Sequence, residues 1–179
     1  IEGKNTAVAF TPDNKYLLSC GWKGKVTVWR MSDRQQIYQF IPYEGMYDTN
    51  YKYIAFIRSL AISPDGKKFA LGDDTKDDGL VEFDMPSDDD GWKNIIKTRT
   101  AQKITVKKLE YVGTGKYMAV LTNENALIIL DAQNHNELGK IENLSYEEEP
   151  EYFSNAYNDN FMYVNFGVDN ISKLSLPSL

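Results

Sequence analysis

The sequence repeats itself, and that repetition limits the fold more than any single motif in it. The segment Val8-Ala9-Phe10-Thr11-Pro12-Asp13-Asn14-Lys15-Tyr16-Leu17-Leu18 returns as Leu60-Ala61-Ile62-Ser63-Pro64-Asp65-Gly66-Lys67-Lys68-Phe69-Ala70. Weaker copies follow at residues 109–119 and 152–163. Each copy is an apolar strand, a turn built from Pro, Asp, Gly or Asn, and a second apolar or aromatic strand, which is the pattern of a hairpin. Pro12, Pro64, Gly113 and Ala156 mark the four turns at intervals of 52, 49 and 43 residues. A four-stranded propeller blade repeats every ~40–45 residues, so the excess belongs in loops.

A third strand follows each hairpin. In the first copy Val26 and Val28 alternate with Lys25 and Thr27, the period of a strand with one buried face. The equivalents are residues 79–84, 126–131 and 170–174, and weaker fourth strands read at 36–40, 92–96 and 138–141. No segment shows a sustained helical period with caps. The pattern predicts an all-β chain of three to four blades at about 7–40, 58–98, 104–144 and 150–176, one propeller unit over residues 1–179 with an insertion loop at 42–53.

The 179 residues are 42% hydrophobic and 13% aromatic, enough to bury a sizeable core. A net charge of -6 with no basic stripe disfavours nucleic acid and anionic lipid as partners. No stretch approaches the ~20 apolar residues of a membrane-spanning helix, so membrane insertion is not expected. Cys20 is the single cysteine, which precludes an intrachain disulfide and suits a reducing compartment. A cytoplasmic location is the resulting expectation. The sequence opens on Ile1 rather than Met, which favours a longer parent chain.

These turns and closing strands resemble the WD40 repeat family. Phe10-Thr11-Pro12-Asp13 and Ile62-Ser63-Pro64-Asp65-Gly66 are similar to its Phe-Ser-Pro-Asp-Gly turn, and residues 24–30 to its closing strand, with Trp29 as the signature tryptophan. The resemblance implies four-stranded antiparallel blades and a non-catalytic scaffold for protein–protein interaction. It also implies a subunit of a larger assembly, with a cytoskeletal or ciliary complex mildly preferred. The chain departs from the family pattern in several places. Lys23 stands where an Asp is expected, no His precedes any repeat, and Phe83 and Leu130 replace the tryptophan. Only Asp78-Gly79 keeps the Asp-Gly pair, so blades held mainly by apolar stacking are expected. Closed propellers have about 4–8 blades, which leaves three readings: part of a longer chain, a half-propeller completed by a partner, or a small closed ring. Open blade edges are expected to be covered by the rest of the chain or by a partner.

Individual residues give little chemistry. His135, the only histidine, reads as a surface turn residue, and Cys20 as a small buried one. One Cys and one His do not make a zinc site. The acidic runs at 73–78 and 88–90 lack EF-hand spacing and read as solvated turns, with Glu147, Glu148, Glu149 and Glu151 as a solvated connector. No phosphate-cradling loop, nucleophile elbow or metalloprotease motif occurs, so neither an enzyme nor a cofactor nor a metal is expected. An alternative, a propeller enzyme or a sensor of a metal or small molecule, would need inward carboxylates at equivalent positions of several blades. The candidate partner contacts are the loop aromatics Trp22, Tyr43, Tyr47, Tyr51, Tyr53 and Trp92, with Lys23 beside Trp22. Packing across the blade rim is the competing role for these side chains.

Overall fold

In the computed structural model the described residues are 5–21, 24–43, 56–73, 79–101, 104–142, 144, 152–155, 161–165 and 171–176. They form four antiparallel sheets, each with its strands in sequence order. The first sheet is β1 (Asn5–Phe10), β2 (Tyr16–Gly21), β3 (Val26–Arg30) and β4 (Gln35–Phe40). The second is β5 (Ile57–Ile62), β6 (Lys68–Asp73), β7 (Leu80–Asp84) and β8 (Lys97–Ala101). The third is β9 (Lys108–Val112), β10 (Tyr117–Leu121), β11 (Leu127–Asp131) and β12 (Glu137–Ile141), and the fourth is β13 (Tyr152–Asn155), β14 (Phe161–Asn165) and β15 (Ile171–Ser175).

Strand register sorts the side chains of each blade onto two faces, because successive residues of a strand point to opposite sides. In the first blade Phe10 stands opposite Leu17 and Leu17 opposite Trp29; Val8, Ser19 and Thr27 form the next row. The second blade repeats these rows as Ile62, Phe69, Phe83 and Leu60, Leu71, Val81. The third repeats them as Tyr111, Met118, Leu130 and Leu109, Val120, Ile128. We call this the leading face, and the opposite one the trailing face.

Each joint in the stack packs a leading face onto the trailing face of the blade before it. The second blade's rows are buried against Tyr16, Leu18, Val26 and Val28 of the first. Those of the third meet Ala61, Ala70 and Leu80 of the second. Met162 and Val164 of the fourth meet Tyr117, Ala119 and Leu121 of the third. Burying one such aliphatic or aromatic side chain contributes about 1.5–3 kcal/mol, so these joints are the main source of stability. The first blade's leading face meets no blade among the described residues, and Val8 and Phe10 are 60% and 54% exposed.

The first joint is the most aromatic. Phe69 stacks on Phe83 with ring centroids 5.0 Å apart, and Trp92 meets Tyr16 edge-on at 5.5 Å. Trp92 reaches this position because Gly91–Asn94 wind into a short 3-10 turn. The outer strand of the second blade is therefore Lys97–Ala101, not residues 92–96 as the sequence pattern predicts.

Gly72, in β6, lies tightly against Val106 and Leu109 of the third blade and the segment that leads into it. A Cβ there would stand 2.3 Å from Val106 Cγ1 and 2.8 Å from Val106 Cβ. A Gly72→Ala variant is expected to lose about 1–3 kcal/mol through overpacking, read from its urea midpoint. An unchanged midpoint would mean that the second joint is looser than described.

Candidate interaction surfaces

Two hairpin turns on one rim are built alike. The Thr11 hydroxyl donates to Asp13 Oδ1 at 2.6 Å, the Lys15 N–H donates to the same oxygen at 3.1 Å, and the Tyr16 N–H donates to Thr11 Oγ1 at 3.0 Å. In the second blade the Ser63 hydroxyl donates to Asp65 Oδ1 at 2.7 Å, with the Lys67 N–H at 3.0 Å and the Lys68 N–H on Ser63 Oγ at 2.9 Å. The hydroxyl, and after it the backbone N–H, hold each carboxyl below the usual range. Asn14 and Gly66 take the left-handed positions these turns require, at φ 58° and 70°. The result is a pair of rigid turns with Lys15 and Lys67 exposed. A cleft of about 380 Å³ lies between them, floored by Pro12, Tyr16, Met85 and Pro86.

The loop behind this cleft ties the second blade to the first. Asp89 accepts from the Tyr16 hydroxyl at 2.8 Å and from the Arg30 guanidinium, which also donates to Asp33 at 2.6 Å and 3.1 Å. Burial, and then the Asp89 carboxylate, push the Tyr16 phenol up to about 12. Asp88 and Asp90 are the exposed residues expected of an acidic turn, but Asp89 is a half-buried bridge between blades.

A second candidate surface is the groove along the inner strands β1, β5 and β9, about 650 Å³ in volume. Thr6, Arg58 and Lys107 each stand six residues before the turn markers Pro12, Pro64 and Gly113. Two of these three equivalent positions therefore carry a cation into the groove. The Arg58 guanidinium lies over the Phe56 ring, 4.5 Å from its centroid, and Lys107 Nζ donates to Asn125 Oδ1 at 3.1 Å. Lys108 and Glu110 also line the groove, and burial favours the neutral form of each, lowering the ammonium and raising the carboxyl.

The joint between the second and third blades holds a buried carboxylate. Glu82 is 0% exposed; it accepts from Lys68 Nζ at 2.6 Å and from the Tyr111 hydroxyl at 2.7 Å. His135 Nε2 approaches its Oε1 to 3.7 Å. Burial is the largest single influence on Glu82 and opposes ionisation. His135, Lys68 and Tyr111 together outweigh it and hold the carboxyl at about 2.

Several sequence expectations change here. His135 is not a surface residue: its side chain is 4% exposed, because a φ of 60° at the turn after β11 folds it inward. Asp73 is a buried residue of β6 rather than part of a solvated turn. Tyr43 and Trp92, taken as candidate partner contacts, are buried. The Tyr43 hydroxyl donates to the Leu71 carbonyl at 3.2 Å, and Trp92 fills the first joint. Both side chains pack into the core, so neither has the exposure a partner contact needs. Trp22, Lys23, Tyr47, Tyr51 and Tyr53 lie outside the described residues. Cys20 is a small core residue whose thiol burial pushes up to about 12. Trp29 Nε1 donates to Ser19 Oγ at 3.2 Å, a hydrogen bond made within one blade. No group of three or more His, Cys, Asp or Glu among the described residues is placed to hold a metal.

Comparison with known proteins agrees with this geometry. Residues 6–30 match the family described as WD domain, G-beta repeat. No curated protein matches the chain significantly by sequence. Among solved structures, the β-propeller domain of Myceliophteria thermophila Cps50 (Swd1) superposes with a TM-score of 0.76 at 17% identity, covering 98% of this chain and 55% of that one. The RRP9 WD40 repeats and U3-55K each give 0.72 at 13% identity, again over 98% of this chain, and over 51% and 52% of theirs. The chain thus spans about half the length of the propellers it matches. Four-stranded antiparallel sheets repeated along the chain, packed face on face with their first strands side by side, are the blades of a β-propeller. Residues 6–30 thus match a WD40 repeat, and the described residues have the β-propeller fold of these WD40 structures.

Proposed function

We propose that this chain is a non-catalytic scaffold that joins other proteins into a multi-subunit assembly. The observation that carries this reading is the rim, where side-chain hydrogen bonds lock two neighbouring turns and present Lys15 and Lys67 beside a common cleft. Rigid loops on a stacked-sheet frame suit recognition, because little ordering entropy is lost on binding. A cytoskeletal or ciliary complex in the cytoplasm is the assembly we favour. The WD40 fold and a single, buried cysteine are in keeping with that setting. The exposed leading face of the first blade, with Val8 and Phe10, is the surface that the rest of a longer chain or a partner would cover, as the following blades cover their neighbours.

The test is affinity capture of the native protein with the charge reversals Lys15→Glu and Lys67→Glu together. Both side chains are exposed, so the fold should persist while capture of the subunits held by the rim falls about tenfold or more. Unchanged recovery of every co-purifying subunit would remove the rim as the binding surface. Recovery of the protein alone from its native source would count against a scaffold.

A further inference from the structure

We propose that Ser87 is a phosphorylation site for a serine kinase that recognises acidic segments, and that its phosphate closes the rim cleft by pairing with Lys15 and Lys67. The inference rests on the scaffold reading and deepens it by giving the rim a means of regulation. Ser87 is exposed, in the irregular stretch between β7, which ends at Asp84, and the 3-10 turn Gly91–Asn94. That stretch is pinned at both ends. The Met85 N–H donates to the Lys67 carbonyl at 2.7 Å, and Asp89 accepts from the Tyr16 hydroxyl and the Arg30 guanidinium. Ser87 lies midway between these anchors, on the wall of the cleft that Lys15 and Lys67 also line.

The residues around the serine select the kind of kinase. Asp88, Asp89 and Asp90 follow it directly, and no Lys or Arg occurs between residues 82 and 92. Proline precedes the serine, as Pro86, and does not follow it. A substrate groove lined with Lys and Arg therefore fits this segment, whereas one that needs a basic residue or a following proline does not. Asp88 and Asp90 are open to such a groove, the Asp90 side chain being 88% exposed, while Asp89 holds the segment to the first blade. In the transfer, the Ser87 hydroxyl oxygen bonds to the terminal phosphorus of a nucleoside triphosphate. The bond from that phosphorus to its bridging oxygen breaks, the hydroxyl proton is released and the nucleoside diphosphate leaves. The product adds a charge of about -1.5 to -2 and three acceptor oxygens to the cleft. Lys15 and Lys67 are held there by exposed pairs with Asp13 at 3.2 Å and Asp65 at 3.6 Å. Exposed pairs of this kind contribute little, so a phosphate dianion in the same cleft draws both lysines away from them and from an incoming partner.

The experiment incubates the native protein with a purified acid-directed serine kinase and ATP, maps the phosphate by mass spectrometry and repeats the affinity capture. The expected result is phosphate on Ser87, absent in Ser87→Ala and incorporated about tenfold more slowly in Asp90→Asn, whose exposed side chain leaves the fold intact. Capture of the subunits held by the rim should fall about tenfold or more on phosphorylation, and kinase treatment of Ser87→Ala should not change it. Phosphorus NMR reads the cleft without any partner. The phosphoserine should titrate at lower pH in the parent than in Lys15→Gln/Lys67→Gln, because two nearby cations favour the dianion. Three results would overturn the inference: no phosphate on Ser87 in folded protein, equal titration in the parent and the lysine variant, or unchanged capture by phosphorylated protein whose unmodified form captures subunits. Recovery of the unmodified protein alone would instead remove the scaffold reading, and the titration would still decide whether the phosphate closes the cleft.

Discussion

A Glu82→Ala variant is expected to unfold about 2–5 kcal/mol more readily than the parent, because it leaves a cavity in the second joint and the buried Tyr111 hydroxyl without its acceptor. Glu82 satisfies Lys68 and Tyr111 from opposite sides of the second joint, and His135 is aimed at the same carboxylate. Alanine would strand the buried Tyr111 and His135 side chains, open a cavity between the blades and release Lys68 to solvent. Glu82→Gln keeps an acceptor for Tyr111 and should cost less. Urea denaturation of the three proteins gives the order, and a loss under about 1 kcal/mol for alanine would show the network to be solvated. The same site fixes a pH dependence. The carboxyl sits at about 2 in the fold against an ordinary value of 4.5, so its contribution is complete above 4.5 and is lost as pH falls toward 2. The difference in stability between parent and Glu82→Gln should shrink across that window.

A Trp92→Ala variant is expected to lose about 3–5 kcal/mol, the usual cost of emptying a buried aromatic site. Trp92 is 0% exposed and touches Tyr16 and Phe69, so its removal opens the first joint from the middle. Thermal melting distinguishes this from a contact role. A core residue lowers the melting temperature with or without partners, whereas a contact residue leaves it unchanged and weakens only capture.

The blade architecture was legible because it is written locally. A Pro-Asp or Gly turn between two apolar strands fixes a hairpin, and the alternation at Val26 and Val28 assigns the buried face without knowledge of any neighbour. The outer strand of the second blade was misplaced because Trp92 and Ile96 read as strand residues. Only the joint with Tyr16 explains why the chain spends four residues on a 3-10 turn first. Tyr43 and Trp92 show the same difficulty for sites. A loop aromatic is exposed or buried according to where the loop returns, which the local pattern does not record. The groove cations had a usable signal, since Arg58 and Lys107 share one offset from their turns, but an offset acquires meaning only once the inner strands are known to lie side by side. Glu82 alternates with Val81 and Phe83 in sequence, a pattern that by itself marks no site. Its partners come from β6, β9 and the turn after β11, far apart in sequence.

The face-to-face joints also determine how the molecule comes apart. Each described core cluster draws its residues from two successive blades and their connecting loops, so a blade is coupled mainly to its nearest neighbours. Such a molecule behaves as a one-dimensional array whose cooperativity is carried by the couplings between units rather than by one shared centre. Among the described residues the second and third blades are each coupled on both faces, so a substitution in either weakens two joints at once. A ligand that bridges two successive blades adds to the coupling between them and therefore stabilises both units rather than the one it touches most.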